Sequence, residues 1–206
     1  MECKYVLTEE IKIVGGKVLH KIKAVQTFQS AVGTVNCGDK GGWVESEANL
    51  DQFSDAWITG NAIVSGNARV CDCSIVTDRA KVGGNAKIEG GAVVFGKAVV
   101  SENATVKGNA KVGGDALVFG HAKVFGHAEI YDKAIVAGNS IVGQNARVFG
   151  EAYVSGEAQV GGNSKVFANA WIGGDCCVCG NAELGKDQVV MGNMRVGSPN
   201  FSDMGK

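Results

Sequence analysis

The chain has 206 residues, with 20 Lys and Arg against 21 Asp and Glu, a formal net charge of −1. That balance excludes the strongly basic binders of nucleic acid and the polybasic binders of membrane surfaces. No stretch nears the roughly 18–20 apolar residues that span a bilayer. Thirty-one glycines beside a single proline call either for disorder or for one turn used many times.

At the N-terminus "MECKYVLTEE" is followed by no apolar run, so no signal peptide is predicted. With an odd count of seven cysteines, the expectation is a cytoplasmic chain with reduced thiols. Residues 3–28 read as two strands joined across Gly15-Gly16, a hairpin signal. The segment "GDKGGWVESEANL", residues 38–50, then leads into the first repeats. Residues 1–50 are therefore read as a β-hairpin cap covering an otherwise open sheet edge. Residues 51–196 form the repeat body and residues 197–206 a C-terminal cap or tail.

From Ile58 onward the chain divides into hexads without remainder, beginning "ITGNAI VSGNAR VCDCSI" and ending at "VMGNMR VGSPNF". All 24 first positions are Val, Ile or Leu, and the fifth is Ala, Ser or Cys in 21 of 24. The exceptions are Gln188, Met194 and Asn200, near Pro199, which lacks a ladder donor. The first position is predicted to point inward from a short strand while its neighbours point outward. Gly followed by Asn at positions three and four supplies a tight turn, both residues tolerating left-handed backbone. The small fifth residue occupies an inner corner. One hexad buries nothing alone, so successive turns of chain must stack as a parallel β-solenoid.

Over residues 58–196 this pattern resembles the left-handed parallel β-helix family of hexapeptide-repeat proteins. The resemblance implies an all-β fold of about eight triangular coils, three hexads each, with an 18-residue stacking period. It also implies a homotrimer, and an activity among the acyl- or nucleotidyltransferases that share the fold.

The stacking period places residues on faces. The phrase "VFGHA" occurs twice, setting His121 and His127 six residues apart. They fall at different corners of one coil, separated by up to roughly 20 Å of extended chain. Zinc needs its ligands about 2 Å from one ion, so the pair cannot share a metal within one chain. Each replaces the Asn common in its column, and His tolerates positive φ. A carbonic-anhydrase-like site would need a third zinc-binding His, and the remaining one, His20, lies in the cap. No metal and no cofactor are expected. Among the cysteines, Cys176 takes the inward small position, and Cys177 and Cys179 flank Val178 on the outward side.

The outward columns carry the strongest functional signal. One column reads Ile63, Lys81, Val99, Leu117, Ile135, Tyr153, Trp171 and Val189. Across the adjoining corner run Phe95, Tyr131, Phe149 and Phe167, while Phe119 and Met191 extend the first face. The corner between them reads Lys97, Asp115, Lys133, Glu151, alternating in sign. Soluble monomers rarely expose a contiguous apolar stripe of this length, and interfaces favour aromatic residues at their buried centres. The stripe is read as a surface for self-association in preference to a ligand groove.

"GDKGGWVESEANL" ahead of "GNA" repeats also resembles phage and prophage accessory proteins and bacterial hexapeptide proteins of transferase type. That likeness implies a non-catalytic oligomeric binding or scaffold protein holding a host protein or a small signalling molecule. The alternative is an acyltransferase with His121 or His127 as general base at a subunit boundary.

Overall fold

The computed structural model describes residues 3–197, and within them the chain is almost wholly β. Strand β1 (Tyr5–Val14) turns at Gly15 and Gly16 into β2 (Lys17–Ala24), the predicted hairpin. A small hairpin follows, β3 (Phe28–Ser30) with β4 (Gly33–Val35), and then β5 (Lys40–Val44). From Trp57 a two-residue strand begins every sixth residue, ending with Arg195–Val196. The tail expected at 197–206 lies, apart from Gly197, outside the described residues.

These short strands assemble into three parallel sheets. Sheet 1 stacks Ile63–Val64 on Lys81–Val82 and so on to Val189–Val190, every register step being 18 residues. Sheet 2 runs from Arg69–Val70 to Arg195–Val196 and sheet 3 from Trp57–Ile58 to Glu183–Leu184. The molecule is thus a three-sided parallel β-solenoid with the predicted period.

Its coils number about nine, not the eight expected. The additional coil precedes the uninterrupted hexads. Trp43–Val44 pairs in parallel with Ile63–Val64, Leu50 bridges to Val70, and Trp57–Ile58 pairs with Ile75–Val76. Val44 to Leu50 keeps the six-residue step, its corner rounded by a 3₁₀ turn, Glu47–Asn49, but Leu50 to Ile58 takes eight residues and breaks the hexad count. Buried Asn49 donates from Nδ2 to the carbonyls of Gly66 and Ala68, and its Oδ1 accepts from the amides of Glu45 and Ser46.

The core is a column of first-position Val and Ile ringed by fifth-position Ala, nearly all with no exposure. Where Ser replaces Ala its hydroxyl is buried but satisfied: Ser140 donates to Ala137 O at 2.7 Å and Ser164 to Gly161 O at 2.7 Å. Substituting one residue type therefore costs little.

The turn differs from expectation in one respect. Left-handed backbone sits at position three alone, as at Gly120 (φ 77°) and Gly126 (φ 72°), and not at His121 or His127. Position four instead donates its amide to the next coil, His121 to Gly138 O and His127 to Gln144 O, each at 2.7 Å. Where an acid occupies position three, its carboxylate accepts from the glycine amide one coil on, as Asp132 does from Gly150 at 3.0 Å. That bond offsets the strain of φ 59° at Asp132.

The N-terminal segment closes the prism's first end. β2 pairs antiparallel with β5 and so extends sheet 1, while Phe28 and Tyr5 pack edge-on against Trp57 at 5.3 and 6.4 Å. Lys4, only 2% exposed, donates to the carbonyls of Ser54 at 2.6 Å and Ala56 at 2.9 Å.

Candidate docking face

The outer face of sheet 1 is set by strand geometry. Position six of each hexad points outward beside the inward first residue, and position two points outward after it. Val99, Leu117, Ile135, Tyr153, Trp171 and Val189 therefore form one continuous column, joined strand to strand. Phe119 lies on the same face, after Val118. Of the sixteen outward positions on the eight hexad strands, Lys81 alone carries a charge. Exposure rises along the column, with the early members half-buried and Trp171 and Val189 exposed by 44% and 56%.

The other two sides differ. Sheet 3 presents Lys111, Glu129, Arg147, Lys165 and Glu183, whose neighbours pair, Arg147 with Glu129 at 3.2 Å and Lys165 with Glu183 at 2.6 Å. Sheet 2 carries Arg69, Lys87, Lys123 and Arg195. Sheet 1 has one charge on its hexad strands, Lys81.

The remaining members of the predicted stripe, Phe95, Tyr131, Phe149 and Phe167, stand across the corner, at the ends of sheet 3 strands. They flank the edge and do not share the plane of sheet 1. Tyr131, Phe149 and Phe167 stack, with successive centroids 5.3 Å apart and rings 16° and 10° from parallel. Arg147 lies over the first two rings and hydrogen-bonds the Tyr131 hydroxyl. Phe95 and Phe167 lie down over Gly113 and Gly185, one coil on. These rings are half-buried because they cover one another and the backbone beneath. On sheet 1, Tyr153 and Trp171 meet edge to face at 5.9 Å and 81°. At the corner Lys97 pairs with Asp115 at 3.6 Å and Lys133 with Glu151 at 2.7 Å, all four exposed. Glu151 holds the Lys133 ammonium above its usual range, and Lys133 holds the Glu151 carboxyl below its own.

Sequence reasoning missed one addition to this face. Trp43 continues the column beyond Ile63, and Lys12 and Lys21 lie over its ring at 4.2 and 4.8 Å. Burial lowers both ammonium pKa values, helped at Lys12 by Lys21 and Lys81 and opposed at Lys21 by Glu10. Antiparallel pairing of β2 with β5 brings Lys21 beside Trp43, a juxtaposition outside the hexad register.

His121 and His127 occupy separate corners, between sheets 1 and 2 and between sheets 2 and 3. Both are exposed. His121 borders a shallow recess of about 370 Å³ shared with Asn103, Lys123, Asn139 and Ile141. Amide ladders run in the same columns: Asn67 to Asn85 to Asn103 at 3.0 and 2.9 Å, and Asn145 to Asn163 to Asn181 at 3.0 and 3.1 Å. Each His stands at the end of a ladder. His20 contacts Thr8 O through Nδ1 at 3.2 Å, within the hairpin.

Cys176 is fully buried as expected, but Cys177 and Cys179 are covered as well, with exposures of 9% and 5%. Burial, reinforced by Cys179, pushes the Cys177 thiol up to about 11. Among the described residues no group of three His, Cys, Asp or Glu is placed to hold a metal, and no helix is long and apolar enough to cross a membrane.

Fold and face together define a parallel β-solenoid with one largely apolar side. No family model matches the chain, and no curated protein matches it in sequence.

Proposed function

We propose that the protein is a non-catalytic oligomeric scaffold whose sheet 1 face joins it to further copies of itself. The observation that carries this reading is the column from Val99 to Val189, apolar over six coils on the side whose hexad strands present a single charge, Lys81. Burying such a face removes apolar area from water at roughly 25 cal/mol per Å². Grooves formed between prisms would then hold the cargo, for which the phage-accessory likeness suggests a host protein or small signalling molecule. A left-handed coil and a cytoplasmic setting belong to the same reading.

Sedimentation velocity tests it. The full chain is expected to sediment as an oligomer at micromolar concentration and Trp171→Glu as a monomer, with Lys111→Glu on sheet 3 unchanged. A monomeric parent chain would overturn the proposal.

The recess beside His121 favours a second reading, the acyltransferase, with an imidazole as base for an acceptor hydroxyl or amine. Saturable binding of an acyl-coenzyme A in calorimetry, lost in His121→Asn, would put that reading first.

A further inference from the structure

The charges beside sheet 1 change along the prism. On the corner between sheets 3 and 1 the fourth-position charges run Arg79, Lys97, Asp115, Lys133, Glu151, then Asp187, with Asp78, Asp132 and Lys186 at the third position beside Arg79, Lys133 and Asp187. The corner between sheets 1 and 2 carries Glu102, then Glu157 and Asp175. Lys81, the one charge on the face, lies near the beginning, and the face's most exposed aromatic, Trp171, near the end. These two groups are complementary across a pair of copies only when one copy is reversed.

Resting on the assembly reading, we infer that two copies pair through sheet 1 in antiparallel, two-fold fashion, in place of the trimer the resemblance implies. The register follows from overlap. Eight hexad coils, from Ile63 to Val189, overlap completely when the two-fold axis falls between Leu117 and Ile135. Leu117 then faces Ile135, Val99 faces Tyr153, and Ile63 faces Val189. Lys81 faces the ring of Trp171, a favourable cation–π pairing.

The same axis sorts the corner charges. An axis in the plane of the interface and across the prism keeps each corner column beside its own counterpart with coil order reversed. Asp115 then faces Lys133 of the other copy, Lys97 faces Glu151, and Arg79 and Asp187 face Asn169 and Asn61. On the other corner one like pair meets, Glu102 with Glu157. Moving the axis half a coil toward the N-terminus, onto Leu117, sets Asp115 against itself and Lys97 against Lys133. A parallel pair sets Lys81 against Lys81 and Glu151 against Glu157. Maximum overlap, the Lys97–Glu151 and Asp115–Lys133 pairs and the Lys81–Trp171 contact favour the same register against the single Glu102–Glu157 pair, and electrostatics of this kind fixes register more than affinity. At about 4.8 Å per coil the face is roughly 38 Å long. Taking a width of about 15 Å, two copies bury on the order of 1,200 Å², the low end for a specific interface.

Spin labels on the full chain test the arrangement. Exposed Cys3, Cys37 and Cys73 are replaced by Ser, and single cysteines are introduced at Asp115, Asn169 or Asp187, all on one corner. In the antiparallel dimer the axial separations between like labels are about 5, 24 and 34 Å, two coil spacings for each coil from the axis. Dipolar distances rising in that order, with a dimer mass in sedimentation and at least tenfold weaker dimerisation in Trp171→Glu, are expected. Equal distances at the three sites, or a trimer mass, would overturn the antiparallel pair while leaving sheet 1 as an assembly face. A monomer would overturn both.

Discussion

The ring of Phe95 lies flat over Gly113, the residue one coil further along the same column, so that a Cβ on Gly113 would collide with the ring. The glycine is there for the phenylalanine, since Gly113 is not among the residues with positive φ. The atoms met are the far end of a half-buried ring that can swing aside, so Gly113→Ala is expected to cost about 1 kcal/mol, the low end for overpacking. The cost should largely vanish in a Phe95→Ala background, a coupling that a denaturant double-mutant cycle measures.

Burial depresses the Lys4 ammonium to about 8, with Asp51 and Asp55 opposing. An unfolded lysine titrates near 10.4, so between those pH values the unfolded chain binds more protons than the folded one. Stability contributed by this site therefore rises from pH 8 to pH 10.5. Below pH 8 both states are charged, and the folded state bears the full desolvation penalty. Measured as the difference between the parent chain and Lys4→Met, the parent should gain roughly 2–3 kcal/mol across that window.

The two exposed imidazoles stand where asparagine ladders end. Replacing His127 by Asn continues a ladder already running from Asn145 to Asn181, and His121→Asn joins Asn103 to Asn139. Neither change should lower thermal stability, and each should raise it by a few tenths of a kcal/mol up to about 1. A loss above 2 kcal/mol in either variant would show that the imidazole has a partner of its own.

Cys71 and Cys177 have thiols pushed up to about 11, chiefly by burial, so at pH 8 both are protonated and unreactive. Cys3, Cys37 and Cys73 are exposed. Titration of the native protein with an aromatic disulfide should show three fast thiols, and the others only after denaturation.

In the core, Ile130 is fully buried within a column that has no slack. Ile130→Ala should cost about 2–5 kcal/mol by calorimetry or denaturant melts. Such a loss acts through contacts with the coils directly before and after, as repeat architectures require.

Much of this architecture was legible because one hexad dictates one strand and one corner. Val118, Val136 and Val154 are inward and adjacent because they are 18 residues apart, and Leu117, Ile135 and Tyr153 are outward for the same reason. The coil built by Trp43, Leu50 and Trp57 was not legible, since its corners are rounded by a 3₁₀ turn and by a run of bends at 52–55 and not by Gly-Asn. Nor was the turn chemistry fully so: Gly and Asn both tolerate left-handed backbone, and only stacking puts it at position three. The docking column was readable residue by residue. Lys12 and Lys21 at its head were not, because antiparallel pairing in the hairpin obeys no 18-residue rule.

The buried ammonium of Lys4, holding the carbonyls of Ser54 and Ala56 while the hairpin occupies the neighbouring sheet, gives the rod a sealed origin. No further layer can be added upstream without breaking those bonds. Length is therefore counted from that end, and an in-frame duplication of 18 residues downstream would advance every later notch by about 4.8 Å while leaving the zero mark untouched.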